Sequence, residues 1–130
     1  MRVPMRAPES ILVVSPDATT LQGLTRALIQ NGWPVLSALG WSEGESRLRR
    51  FPVSLVVTDL EGPDPDELTP VRRLRAEFPH VAIIALVSLC TPEVRAAETQ
   101  GIVLAVLEKP ITLAQLEESV KLALARTASP

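Results

Sequence analysis

Five short apolar runs divide this 130-residue chain, at 11–14, 35–39, 53–58, 81–87 and 102–107, and most of them are continuous rather than alternating. A strand with one wet face alternates apolar and polar residues. A continuous run suits a strand covered on both faces, as in a parallel sheet between two helix layers. Segments of helical period separate the runs. Leu21, Leu24 and Leu28 make one stripe that stops at Gly32; Leu68, Val71, Leu74 and Phe78 make another that stops before Pro79.

The other helices are marked mainly by their ends. A second helix is expected from Ser42, with Glu45 completing a capping box and Gly44 weakening the turn. A short fourth runs from Pro92, after a Thr91 cap, to about Gln100, with Gly101 as its stop. The fifth has a Thr112–Gln115 capping box, a staple from Ile111 to Leu116 and one face of Leu113, Leu116, Val120 and Leu124. Glu117 and Lys121 form an exposed pair one turn apart. Five strands alternating with five helices predict an α/β fold, a doubly wound five-stranded parallel sheet with helices on both faces. One domain is expected over 9–126, between a disordered leader at 1–8 and a disordered tail at 127–130.

Composition excludes several functions. A net charge of -2 gives no field to attract nucleic acid. No apolar run reaches the roughly 18 residues of a membrane span, and the first ten residues carry Arg2, Pro4, Arg6 and Pro8 where a signal peptide needs an apolar stretch. A cytoplasmic protein is expected. Cys90 is the single cysteine, so no internal disulfide forms. The arginines at 47, 49 and 50 and at 72, 73 and 75 read as solvated helix faces.

In a doubly wound sheet the working site lies at the carboxyl ends of the strands, near the reversal of strand order. That rule selects Ser15, Pro16 and Asp17, the stretch 59–66, Val87 and Ser88, and Glu108, Lys109 and Pro110. The stretch 56–68, with Asp59, Pro63, Asp66 and Leu68, resembles the motif in which the phosphoacceptor aspartate ends the third strand of a response-regulator receiver domain. Glu108, Lys109 and Pro110 resemble the lysine-proline motif ending its fifth strand. The resemblance runs from Ser10 to Arg126. It implies the flavodoxin-like (βα)5 receiver fold and a place in two-component phosphorelay signalling. Asp59 would take a phosphoryl group from a histidine kinase or phosphotransfer protein, and the Lys109 ammonium would pair with the phosphoryl oxygens.

Several positions depart from the receiver pattern. Receivers follow the first strand with two acidic residues that hold magnesium together with the phosphoacceptor and a backbone carbonyl two residues beyond it. Here those positions are Ser15 and Pro16, which read as a helix cap and first-turn proline. The remaining ligands would be Asp59, the Glu61 carbonyl, water and Asp17 as a displaced substitute, so magnesium binding is expected to be weak. The switch hydroxyl ending the fourth strand is replaced by Val87, with Ser88 as a displaced candidate, and the aromatic switch position is Val106.

Two readings follow: a receiver with a degenerate metal site, and a phosphorylation-independent pseudo-receiver acting as an interaction module. Neither is an enzyme. A flavodoxin-like phosphate loop at 15–20 lacks glycine, a dehalogenase-like phosphatase needs aspartate where Glu61 stands, and His80 reads as a solvated turn residue. The apolar run 102–107 and Leu122 predict a homodimer or partner contact through the fourth helix, fifth strand and fifth helix. The chain is expected to be a stand-alone receiver or a piece of a longer regulator.

Overall fold

A computed structural model describes residues 9–60 and 65–127. Five strands, β1 (Ser10–Val14), β2 (Val35–Ala38), β3 (Val53–Leu60), β4 (Ala82–Val87) and β5 (Ala105–Glu108), form one parallel sheet in the order β2-β1-β3-β4-β5. The helices are α1 (Ala18–Gln30), α2 (Trp41–Arg50), α3 (Leu68–Glu77), α4 (Pro92–Thr99) and α5 (Leu113–Thr127), with a 3-10 turn over Pro65–Glu67 before α3. The doubly wound sheet expected from the apolar runs is therefore present, and its three central strands are buried on both faces.

Side-chain alternation along the strands divides the core in two. Ile11, Val13, Leu55 and Val57 face Leu21 and Leu28 of α1 and Leu116 and Val120 of α5. Leu12, Val14, Val56 and Ile83 face Leu48 of α2, Val71 and Leu74 of α3 and Val94 of α4. Each fully buried aliphatic side chain contributes about 2 kcal/mol. The order reverses at β1: the chain goes to β2 on one side, then crosses to β3 on the other. The carboxyl ends of β1 and β3 flank that reversal.

Some local expectations hold. Thr91 caps α4, its Oγ1 accepting from Val94 N at 3.2 Å. The Thr112–Gln115 box forms in both directions, at 2.9 and 3.1 Å. Others need correction. The second helix begins at Trp41 because Gly40, at φ 98°, makes the entry turn, so Ser42 is already helical and makes no cap. Glu43, in the first turn, accepts from Leu39 N just ahead of the helix and from Arg47 one turn on. Gly44 has a packing role: a Cβ there would lie 3.2 Å from Val14 Cγ2.

The fifth strand is shorter than its apolar run. Gly101, at φ 79°, turns the chain, and the Ile102 and Val103 amides bond back to Ala97 O of α4, so the first amide to reach β4 is that of Leu104, at Ile83 O, and the register with β4 begins at Ala105. On α5 the buried face is Leu116, Val120 and Ala123, with Leu124 half-buried, while Leu113 stands exposed. Glu117 pairs across helices rather than with Lys121: its Oε1 accepts from Asn31 Nδ2 of α1 at 2.9 Å. The helix runs through Thr127, where the tail was expected to begin. The expected leader, 1–8, and residues 128–130 lie outside the described residues.

Candidate functional site

Strand parity and register bring three distant residues together. Val13, Val57 and Leu107 pack on the α1/α5 side of the sheet, so Ser15, Asp59 and Lys109, each two residues further along, emerge on that side at the strand ends. β1 and β3 pair Val14 with Thr58, which levels Ser15 with Asp59. β4 and β5 pair Val87 with Glu108, and the Lys109 amide continues the ladder by donating to Val87 O at 2.8 Å.

Asp59 is 4% exposed, low enough that each carboxylate oxygen needs a protein partner. Both have one. Lys109 Nζ donates to Oδ1, and Ser15 Oγ donates to Oδ2 at 3.0 Å. Ser15 is itself fully buried, and its Oγ accepts from Asp17 N at 3.1 Å. The lysine reaches Asp59 from the solvent side, so the pair is a buried carboxylate neutralised by a half-buried ammonium. Next to it lies a cavity of about 260 Å³, walled in part by Pro16, Trp41 and Leu60.

The role expected for Ser15 needs correction. The cap of α1 is Asp17, whose Oδ2 accepts from Thr20 N at 2.9 Å and Thr20 Oγ1 at 2.6 Å. Those hydrogen bonds, the side-chain one first, hold the Asp17 carboxyl below its ordinary pKa. Asp17 is thus directed at its own helix rather than at Asp59. Sequence reasoning missed Ser15 as a partner of Asp59, because a serine before a helix reads locally as a cap. The available signal was its place one residue beyond β1, level with the residue ending β3.

No protein-family model matches the chain, and no curated protein does. Solved structures do. The chain is similar to a response regulator receiver protein from Pseudomonas putida, at 28% identity and TM-score 0.76, covering 90% of this chain and 98% of that one. It is similar to a response regulator receiver domain protein from Clostridium thermocellum, at 26% identity and TM-score 0.80, covering 91% and 95%. The signal receiver domain of an HD domain-containing protein from Pseudomonas fluorescens superposes at TM-score 0.85 with 23% identity, covering 95% and 100%. The chain folds as a receiver domain.

Magnesium needs near-octahedral oxygen ligation. Among the described residues no group of three His, Cys, Asp or Glu side chains converges to hold a metal. Asp59 is already paired with Lys109 and Ser15, Asp17 is occupied by Thr20, and Pro16 presents an apolar wall. The Glu61 carbonyl lies outside the described residues.

The positions that the receiver resemblance assigns to a switch are Val87, Ser88 and Val106. Val87 is buried in the α2/α3/α4 half of the core, paired with Leu60 and Glu108. Ser88 follows the last paired residue and is exposed, with no hydrogen bond to Asp59 or Lys109 among the described residues. Val106 is half-buried against the same half of the core as Val87. Glu108 ties the loop after β4 to β5 by accepting from Cys90 N at 3.1 Å. No helix among the described residues is long and apolar enough to cross a membrane.

Proposed function

We propose that this receiver domain works in two-component signalling, with Asp59 in the phosphoacceptor position and a histidine kinase or phosphotransfer protein as its partner. The observation that carries the reading is the buried Asp59 carboxylate paired with Lys109 at the carboxyl end of the sheet. An Asp59 oxygen would attack the phosphorus of a phosphohistidine. The new O–P bond forms as the N–P bond breaks, and Lys109 then pairs with the phosphoryl oxygens. The metal site is degenerate. Magnesium binds no tighter than millimolar, and Asp59 must first give up a protein partner, so phosphoryl uptake is slow.

A second reading, a phosphorylation-independent interaction module in the cytoplasm, draws on a separate observation. Val87 and Val106 are packed in or against the core and bring neither a hydroxyl nor an aromatic rotamer to the two positions where a receiver switch would use them. The contact surface in either reading is the α4–β5–α5 face. Val103 is 1% exposed and so does not belong to that patch, but Leu122, at 61%, stands beside the half-buried Leu104 and Ala105.

Incubation with acetyl phosphate and magnesium, followed by intact-mass and peptide mass spectrometry, separates the readings. Slow incorporation of one phosphoryl group, abolished by Asp59→Asn, is expected from the first. Complete absence of incorporation at high magnesium, with kinase binding unaffected by Asp59→Asn, refutes it in favour of the second.

A further inference from the structure

At the other end of the sheet, the half-buried guanidinium of Arg75 is held by backbone carbonyls rather than by a carboxylate among the described residues. Arg75 lies in the last turn of α3, and its Nε, Nη1 and Nη2 donate to Ile102 O at 3.2 Å, Pro79 O at 2.8 Å and Val81 O at 2.6 Å. These bonds clamp the connections that enter β4 and β5. They use three of the five N–H groups, and all three acceptors are neutral carbonyls. None of the ion pairs among the described residues includes Arg75. Burial pushes its pKa down, as expected for a cation partly removed from water without an anion.

The guanidinium borders a groove of about 440 Å³, with Val81, Val103 and Leu104 in its walls and His80 and Arg126 also lining it. The acid in that lining, Glu98, is already paired with Arg95 at 2.7 Å. Two arginines and a histidine therefore line an opening in which Glu98 is shared with Arg95. A guanidinium with spare N–H groups favours planar or tetrahedral oxyanions, and the half-buried Leu104 offers a carbon body apolar contact that a bare ion cannot use. The carbonyls ending α3 and α4 lie near the groove and oppose an anion, which keeps the affinity modest.

We propose that this groove binds a small organic oxyanion, a carboxylate or phosphate ester on a compact apolar body, independently of Asp59. The test is a chemical-shift titration of the ¹⁵N-labelled domain with phenyl phosphate, benzoate and inorganic phosphate in parallel. Saturable shifts of the His80, Val81, Gly101 and Leu104 amides are expected with one or both organic anions, at a Kd on the order of 1 mM. Inorganic phosphate should bind more weakly than phenyl phosphate.

Arg126→Ala should weaken binding about threefold and Glu98→Gln should tighten it, while Asp59→Asn leaves it unchanged. Arg75→Lys keeps the charge but gives up the fork and should weaken binding further. If that variant loses its fold, Arg126→Ala and Glu98→Gln still decide the matter. Shifts that stay linear to high concentration, or saturation indifferent to both of those substitutions, overturn the proposal. Equal affinity for inorganic and phenyl phosphate overturns the organic body.

Discussion

Replacing Ser15 and Pro16 together by aspartate introduces the acidic pair that the receiver resemblance places after the first strand, and the structure sets the size of the response. Ser15 is fully buried with its Oγ 3.0 Å from Asp59 Oδ2, so an aspartate there faces a second carboxylate at close range. Two like charges about 4 Å apart, at an effective dielectric of about 20, repel by about 4 kcal/mol. The Ser15 hydrogen bond to a charged acceptor is lost as well, a further ~1.5–3 kcal/mol, and Lys109 offsets part of the sum. A net loss of about 4 kcal/mol is expected without metal, which lowers Tm by roughly 15 °C in a domain of this size and leaves it folded. Read as the loss of a helix cap alone, the change would cost only about 1 kcal/mol. Magnesium at about 100 times its Kd should return ~2.7 kcal/mol. Thermal unfolding of parent and variant, with and without magnesium, measures both numbers, and phosphorylation by acetyl phosphate should rise in parallel. In an Asp59→Asn background the repulsion and most of the magnesium response should disappear together. A variant as stable as the parent without metal and indifferent to magnesium would refute the placement of Ser15 against Asp59.

Lys109→Met leaves the Asp59 carboxylate buried with only Ser15 as partner and should destabilise by about 2–3 kcal/mol, less than a fully buried pair because the lysine is partly exposed. Asp59→Asn in the same chain should recover most of that loss in urea unfolding. Asp17→Asn addresses pH. The folded-state pKa of Asp17 is depressed by Thr20, so its stabilisation is fully present above the unfolded-state pKa and is lost as pH falls toward the depressed value. The variant should therefore show a shallower loss of stability below about pH 4 than the parent. Asn31→Ala removes the bond to Glu117 that joins α1 to α5 and should cost about 0.5–1 kcal/mol, with faster amide exchange at the end of α1.

What the sequence determined by itself is what depends on near neighbours. Continuous apolar runs suit strands covered on both faces, and the Thr91 and Thr112–Gln115 caps act within one turn of their own helices, so these features were legible from spacing alone. Asp59 and Lys109 were selected by their places at strand ends, because in a wound parallel sheet the carboxyl ends of the strands come together whatever the loops contain. The tertiary structure decided whatever depends on register and approach across the sheet. Ser15 looks locally like a cap and becomes the second partner of Asp59 only because β1 pairs Val14 with Thr58. Gly44 looks like a helix weakness until Val14 lies against it. The apolar stretch 102–107 gives only its last part to β5, because Gly101 turns the chain and Ala97 O holds the residues after it. Arg75, which reads as a solvated arginine, is drawn inward by carbonyls 4, 6 and 27 residues away. A hydrogen bond between residues far apart leaves no periodic mark on the chain, so only the folded arrangement assigns it.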